Sequence, residues 1–380
     1  MKLALVTRRY PPLIGGAEKV LSYLALAFAR EGADVTVLTA RPPDPDLPAA
    51  EAVPVPPGEG RLSVIRLPTS RVRFLGTWLY MRNLQRWFET HPVDLAYVSM
   101  LKHDAYVVVG VGQRRGFPVV LRPEGAGATG DIAWQSWGRF GRAIGRRCRK
   151  ADAFVSISAA ITDELRLAGY DPARILALPN GVPVPDTPWQ RRDGWREAPR
   201  AVFVGRLAPE KGLDTLLEAW AKVRAAQPAA HLTLVGEGPE RPALVARAAA
   251  LGLAGAVELT GAVSNPAESL RAADLFVLPS REEGMSIALL EAMALGMPLV
   301  ASSVPGNRRL VQDFKHGRLA PPDDPDALAH AIIEQWSGFD RAVHMGRAAR
   351  SRVEQEFSIQ AVARRHLECF GKLIAAKRRG

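Results

Sequence analysis

Leu275–Ser302 reads LFVLPSREEGMSIALLEAMALGMPLVAS. An apolar run of strand length, LFVLP, gives way to a charged turn; a helix is expected over 284–295, and a second apolar run, PLVAS, closes the unit. Strands that are apolar along their whole length are buried on both faces, so this is the pattern of a parallel βαβ unit. Glu283 and Glu291 stand eight positions apart inside it. If both belong to the helix, they are separated by about two turns and about 12 Å, a spacing that suits an elongated ligand better than one metal ion. The plain alternative makes Glu283 a first-turn acid favoured by the helix dipole and Glu291 part of a solvated face.

The same alternation runs along the chain in both directions. In the first half KLALVT, DVTVLTA, LSVIRL, DLAYVSM, PVVLR and AFVSIS read as strands, with amphipathic stretches such as GAEKVLSYLALAFARE between them. In the second half AVFVG, HLTLVG, VELTG, LFVLP and PLVAS repeat the theme, with helices expected near 212–226 and 239–252 as well. This predicts an α/β chain with two doubly wound parallel sheets. Residues 178–199, LPNGVPVPDTPWQRRDGWREAP, are rich in Pro and charge and have no period. The expected organisation is a first domain over 1–185, a linker over 186–199 and a second domain over 200–358. The Pro-rich stretch 40–61 is expected to be a surface excursion.

Composition narrows the function classes. The 380 residues are 47% hydrophobic and 23% charged, which fits an ordinary globular protein. No apolar run has transmembrane length and no signal peptide is legible, so a cytoplasmic location is expected. Cys148 and Cys369, far apart, offer neither a disulfide framework nor a zinc site. The formal charge is +11, and residues 1–198 carry 27 Lys and Arg against 19 Asp and Glu. A surface of that sign suits a phosphorylated substrate, an anionic membrane or nucleic acid.

In open parallel sheets ligands bind beyond the carboxyl ends of strands, where helix N-termini attract anions. Glu283 follows such a strand, and Gly284, Met285 and Ser286 then open the expected helix, whose free N–H groups could hold a phosphate. Arg206 leaves the end of the strand AVFVG. Lys211 stands at the start of the next helix, where the dipole disfavours a cation unless an anion is bound there. The plain alternative pairs Lys211 with Glu210 or Asp214.

The stretches GRLAPEKGLDTLLEAW, LTLVGEGPERPAL, LTGAVS and AADLFVLPSREEGMSIALLEAMALGMPLVAS, with FVSISAAITDEL and LPNGV earlier, resemble the retaining glycosyltransferases of family 4 in their order and spacing. That resemblance implies the GT-B fold, two Rossmann-like doubly wound domains facing each other across a cleft, with the C-terminal helix 359–380 returning to the first domain. It implies a metal-independent hexosyltransferase that moves a sugar, with retention, from a UDP- or GDP-linked donor to a glycan or lipid-linked acceptor. It also implies roles. Glu283 lies beside the transferred sugar and Glu291 hydrogen-bonds the ribose; Arg206 and Lys211 neutralise the diphosphate; Gly205 and the backbone of Gly284, Met285 and Ser286 border it. Gly15 and Gly16, in PPLIGGAEKV, resemble the glycine-rich loop after the first strand. Where the family often has a histidine after the strand PVVLR, this chain has Glu124 in PEGAG. His103, in MLKHDAY, is the other candidate for that place.

Other patterns point elsewhere. GAGATG, Gly125–Gly130, satisfies GxGxxG after a strand and raises an NAD-dependent oxidoreductase, although it opens no obvious sheet-packing helix. A basic nucleic-acid-binding protein is a further alternative, although no recognition motif for one is legible. The Asp-x-Asp matches Asp44–Asp46 and Asp324–Asp326 fall in Pro-rich turns, the second expected to cap a helix, so no metal and no cofactor are expected. Finally, Phe74, Trp78, Met81, Leu84 and Phe88 recur at helical spacing, fringed by Arg73, Arg82 and Arg86, and six Arg or Lys fall between 139 and 150. These predict a peripheral place on an anionic membrane, the inner face being the expected one.

Overall fold

The apolar runs become two parallel sheets in the structure, a computed structural model that describes residues 1–13, 15–42, 46–70, 72–127, 130–190, 194–263 and 265–379. Asp44, and Ala128 and Thr129 of GAGATG, lie outside the described residues, as do the side chains of Ala17 and Arg73. The chain divides into two units, Met1–Gly181 with Ile359–Gly380, and Val182–Ser358.

In the first unit the strands are β1 (Lys2–Val6), β2 (Asp34–Ala40), β3 (Ala50–Val53), β4 (Arg61–Leu67), β5 (Leu95–Ser99), β6 (Val119–Arg122), β7 (Ala153–Ser156) and β8 (Ile175–Ala177). Their spatial order is β3-β4-β2-β1-β5-β6-β7-β8, and only β3 runs antiparallel to its neighbour. Central β5, β6 and β7 are buried at every residue, as strands covered on both faces must be. Part of the Pro-rich excursion is therefore structural: Ala50–Val53 pairs with β4 as an edge strand. The C-terminal helix Ile359–Arg379 packs against helix Gly16–Arg30 of this unit, with Phe370 on Phe28 and Tyr97 at ring separations of 5.7 Å. His366 is buried in the same aromatic cluster.

The second unit contains β9 (Arg200–Val204), β10 (His231–Val235), β11 (Val257–Gly261), β12 (Leu275–Leu278), β13 (Leu299–Ser302) and β14 (Arg318–Ala320), in the order β11-β10-β9-β12-β13-β14, all parallel. Residues 182–199 cluster with this unit rather than standing apart as a tether. Trp189 explains why: its indole is buried and donates from Nε1 to the Ala273 carbonyl at 2.8 Å, and Arg196 pairs with buried Asp274 at 3.6 Å. Asp324 caps helix Pro325–Ser337 by accepting from the Ala327 N–H at 2.9 Å.

Both sheets share a topology. β1 lies between β2 and β5, and β9 between β10 and β12, so the order reverses beside the first strand of each. Such a switch point opens a crevice at the carboxyl ends of its two strands.

Candidate functional site

In the second unit the crevice lies where β9 and β12 end, and the residues read from the sequence meet there. After β9 the chain runs through Gly205 and exposed Arg206 into a single helical turn, Pro209–Lys211, and then helix Leu213–Ala226. After β12 it runs through Ser280–Ser286 into helix Ile287–Leu295. Lys211 Nζ lies 2.7 Å from Glu283 Oε1, across a gap of 72 residues in sequence. Ser280 Oγ donates to the same oxygen at 2.8 Å. Glu283 is thus held from two sides, and its side chain is only 8% exposed. Lys211 does not pair with Glu210 or Asp214, as the simple local reading had it; the Asp214 carboxylate belongs to Arg281.

The helix that follows Glu283 begins later than its apolar pattern suggests. Ser286 is its N-cap and accepts from the Leu289 N–H at 3.3 Å, so the first helical residue is Ile287. Glu283 therefore sits in the loop, and Glu291, the fifth helical residue, is about 6 Å along the axis. The two-turn spacing does not hold, because Gly284 and Ser286 both favour a turn over a helix interior. Around the loop the backbone is open on one side and tight on the other. A Cβ on Gly284 would meet nothing within 4 Å, whereas one on Gly306 would lie 2.1 Å from the Glu283 carbonyl oxygen. Met285 is buried, so it is anchored in the core. Gly205 is bracketed in turn by Gly236, where a Cβ would meet the Gly205 carbonyl oxygen at 1.8 Å and φ is +149°.

One contributor to this crevice left no readable signal. Arg281 donates from Nη1 to the Pro209 carbonyl at 2.7 Å, from Nη2 to Asp214 at 2.8 Å and from Nε to Asp323 at 2.6 Å. Burial works to raise the Asp214 carboxyl, but the Arg281 hydrogen bond and the Thr215 N–H bring it below its ordinary range.

In the first unit the crevice lies beyond β1 and β5. Arg8, two residues past β1, pairs through Nη1 with Asp104 at 3.3 Å, donates from Nη2 to Thr77 at 2.9 Å and stacks over the Tyr80 ring. Asp104 is buried and its carboxyl is pushed up by that burial against the pull of Arg8. His103 opens helix His103–Arg115 and packs edge-on against Trp134. Burial, then Arg8 and Lys102, lower its pKa, which favours the neutral imidazole. Gly15 and Gly16 lie at the N-terminus of helix Gly16–Arg30, where Glu18 folds back over the loop: a Cβ on Gly15 would lie 2.1 Å from the Glu18 carboxylate, which Arg9 holds at 2.9 Å.

Glu124, just beyond β6, is bound by Ser99 Oγ and by Arg122 Nη1 at the same carboxylate oxygen. Arg122 is 1% exposed and its other arm reaches Asn180 at 2.7 Å. Burial works against the Arg122 charge, and Glu124 beside it more than restores it. Asp131, which sequence reasoning passed over, ties Glu124 to the segment before His103: its carboxylate accepts from the Glu124 N–H at 2.7 Å and the Leu101 N–H at 3.4 Å, with Lys102 Nζ at 3.9 Å. Burial pushes its carboxyl up. Among the described residues no group of three His, Cys, Asp or Glu is placed to hold a metal, and no helix is long and apolar enough to cross a membrane.

Comparison with known proteins agrees with this architecture. Residues 15–181 match the glycosyl transferase 4-like domain, and residues 198–337 match the glycosyl transferases group 1. The chain is 27% identical to a glycogen synthase of Mycobacterium tuberculosis, over 100% of this chain and 95% of that protein. It is 28% identical to a GDP-mannose-dependent alpha-(1-6)-phosphatidylinositol monomannoside mannosyltransferase of the same organism, over 95% and 96%. Among solved structures, sucrose-phosphate synthase of Thermosynechococcus elongatus superposes with a TM-score of 0.81 at 23% identity over 99% of each chain. Anabaena HepE, in complex with UDP and glucose, superposes with a TM-score of 0.76 at 19% identity over 98% and 99%. With both halves matched, the chain belongs to glycosyltransferase family 4, the group 1 glycosyltransferases of GT-B fold.

Proposed function

We propose that the chain is a metal-independent hexosyltransferase that retains the anomeric configuration and binds a UDP- or GDP-sugar at the β9/β12 switch point. The observation that carries this is the Lys211–Glu283 pair, 2.7 Å apart, with exposed Arg206 five residues before Lys211 in the segment after β9. Departure of a nucleoside diphosphate builds negative charge on its β-phosphate. Lys211 and Arg206 supply fixed positive charge to that oxygen, which lowers the barrier because the stabilisation grows as the bond breaks. Glu283, bound by Lys211 and Ser280, lies beside the sugar, and Glu291 accepts from the ribose hydroxyls. The donor remains either of two: one relative is named for GDP-mannose, and one solved neighbour holds UDP. The test measures nucleoside diphosphate released from UDP-glucose, UDP-N-acetylglucosamine, GDP-mannose and ADP-glucose, then the anomer first formed by NMR. Retention with a UDP- or GDP-sugar is expected; a β-linked product from an α-linked donor overturns the reading.

A second reading concerns the acceptor, and one surface favours it. Phe74, Trp78, Trp137 and Phe140 are exposed, and Arg139 lies 4.5 Å over Phe74 and 5.2 Å over Phe140, joining helix Arg73–Thr90 to the segment after helix Asp131–Trp137. The helical stripe is divided, however: Leu84 and Phe88 are fully buried. Arg147 and Arg149 are likewise engaged inward, over Tyr106 and on the Ala168 carbonyl. Arg82, Arg139, Arg142, Arg146 and Lys150 form the exposed fringe. Exposed aromatics with cations, each worth about 1 kcal/mol near anionic lipid, suit a lipid-linked acceptor at a membrane surface. Sedimentation with anionic vesicles at low salt, lost in W137S/F140S and absent with neutral vesicles, is the expected result; equal binding to both vesicle types points to a soluble glycan acceptor.

A further inference from the structure

The loop that carries Lys211 and the loop that carries Glu283 touch through backbone as well as through their charges. Gly212 has φ +61°, and a Cβ there would lie 2.4 Å from the Pro279 carbonyl oxygen, so only glycine allows the approach. The Arg281 N–H donates to the Glu210 carbonyl at 2.8 Å. Its side chain then grips the Lys211 loop on both flanks, at Pro209 O and at Asp214, while Nε holds Asp323 in the turn beyond β14. On the other side Ser302 Oγ donates to the Ser280 carbonyl, and buried Asn307 donates to the Ser302 carbonyl at 3.0 Å, so the residue before Arg281 is itself braced.

From this we infer that Arg281 is a positioning residue for sugar transfer: its three-way grip sets the distance and direction of Lys211 Nζ relative to Glu283, without itself touching substrate. The inference rests on the donor reading of Lys211 given above. A lysine could not replace it, since one ammonium cannot serve a carbonyl and two carboxylates that lie in the fork of a planar guanidinium. Nor does stability alone account for the grip. The side chains of Asp214 and Asp323 are 44% and 56% exposed, and ion pairs so exposed contribute little to folding. Small errors in a charge that must meet a departing phosphate are costly in rate, a displacement of about 1 Å being enough for about 100-fold.

The experiment is a double-mutant cycle on kcat with the fastest donor of the four-member panel, using Arg281→Met, Arg281→Lys, Lys211→Ala and Arg281→Met/Lys211→Ala. Arg281→Met is expected to lower kcat about 10- to 100-fold, with donor KM and melting temperature nearly unchanged, and Arg281→Lys to recover little of it. In the Lys211→Ala background the same change is expected to have almost no further effect. Normal kcat in Arg281→Met, or full additivity in the double variant, overturns the inference while leaving the donor reading intact. Full kcat in Lys211→Ala overturns the donor reading, and this inference falls with it. If Arg281→Met does not fold, Asp214→Asn with Asp323→Asn removes the grip from the other side and is read in the same cycle.

Discussion

At each switch point a cation from the segment after the first strand meets a carboxylate from the segment after its new neighbour: Arg8 and Asp104, the second residue of its helix, in the first unit, Lys211 and Glu283 in the second. The topologies are alike, but the surroundings differ. Arg8 is engaged by Thr77 and lies on Tyr80, and Asp104 is buried against them. The two segments that carry Lys211 and Glu283 also carry exposed Arg206 and the open face of Gly284. Place in the topology therefore brings charges together in both units and buries them alike, the side chains being 32% and 8% exposed in the first pair and 19% and 8% in the second, and it is the further partners of each pair that differ.

Substitutions can break or sharpen that contrast. The largest effect is expected from Lys211→Ala, which should lower kcat about 100-fold or more because the loss is of transition-state charge, with a fall in melting temperature as well because the 8%-exposed Glu283 loses its partner. Steady-state kinetics beside calorimetry checks it; a large drop in melting temperature with normal kcat would make this pair like the other.

Next comes a difference in acid. His366, buried beside Phe28, Tyr97 and Phe370, has its pKa lowered by burial to about 4. Its unfolded value is about 6.5, so as pH falls through that range the unfolded chain takes up a proton that the folded one does not. The histidine's contribution, about 3 kcal/mol, is full above pH ~6.5 and is lost as pH falls toward ~4. Urea midpoints of the first unit's signal at pH 7.5 and 4.5 measure it, and His366→Phe should narrow the difference.

Asp104→Ala should follow, at about 2 kcal/mol of stability, because it leaves Arg8 facing a buried gap. Unfolding free energy should report it more strongly than kcat does. A kcat loss as large as that of Lys211→Ala would mean the first pair also faces chemistry. The smallest change is expected from Glu291→Ala, a rise in donor KM of about 10-fold at constant kcat, as loss of uniform binding gives.

The sheets were legible because buried parallel strands are apolar at every position, and the donor-side residues because they lie next to strand ends in a stretch with specific order. What escaped was short or long-range. β8 and β14 have three residues each, too few for any period, and β3 hides among prolines. Arg281 and Asp104 act through partners tens of residues away, and Asp131 through Leu101 thirty residues back as well as Glu124 seven back; such contacts leave no periodic pattern. Asp131 also follows GAGATG, a stretch whose glycines suggest a cofactor loop but which precedes a helix of only seven residues, Asp131–Trp137. The start of the 287–295 helix was misplaced for a simpler reason: its apolar stripe continues through Met285, which is buried in the loop.

The return of residues 359–379 to the first unit sets an order of birth. Ribosomes deliver Met1–Gly181 first, then the whole of Val182–Ser358, and only afterwards the helix that covers Phe28 and Tyr97. During elongation the second unit has everything it needs before the first does. The nascent first unit meanwhile shows an uncovered aromatic face, the kind of surface on which chaperones act and incomplete chains aggregate. A chain cut at Ser358 keeps Lys211, Glu283 and Arg281, yet it would be a poor product for a reason that lies far from them.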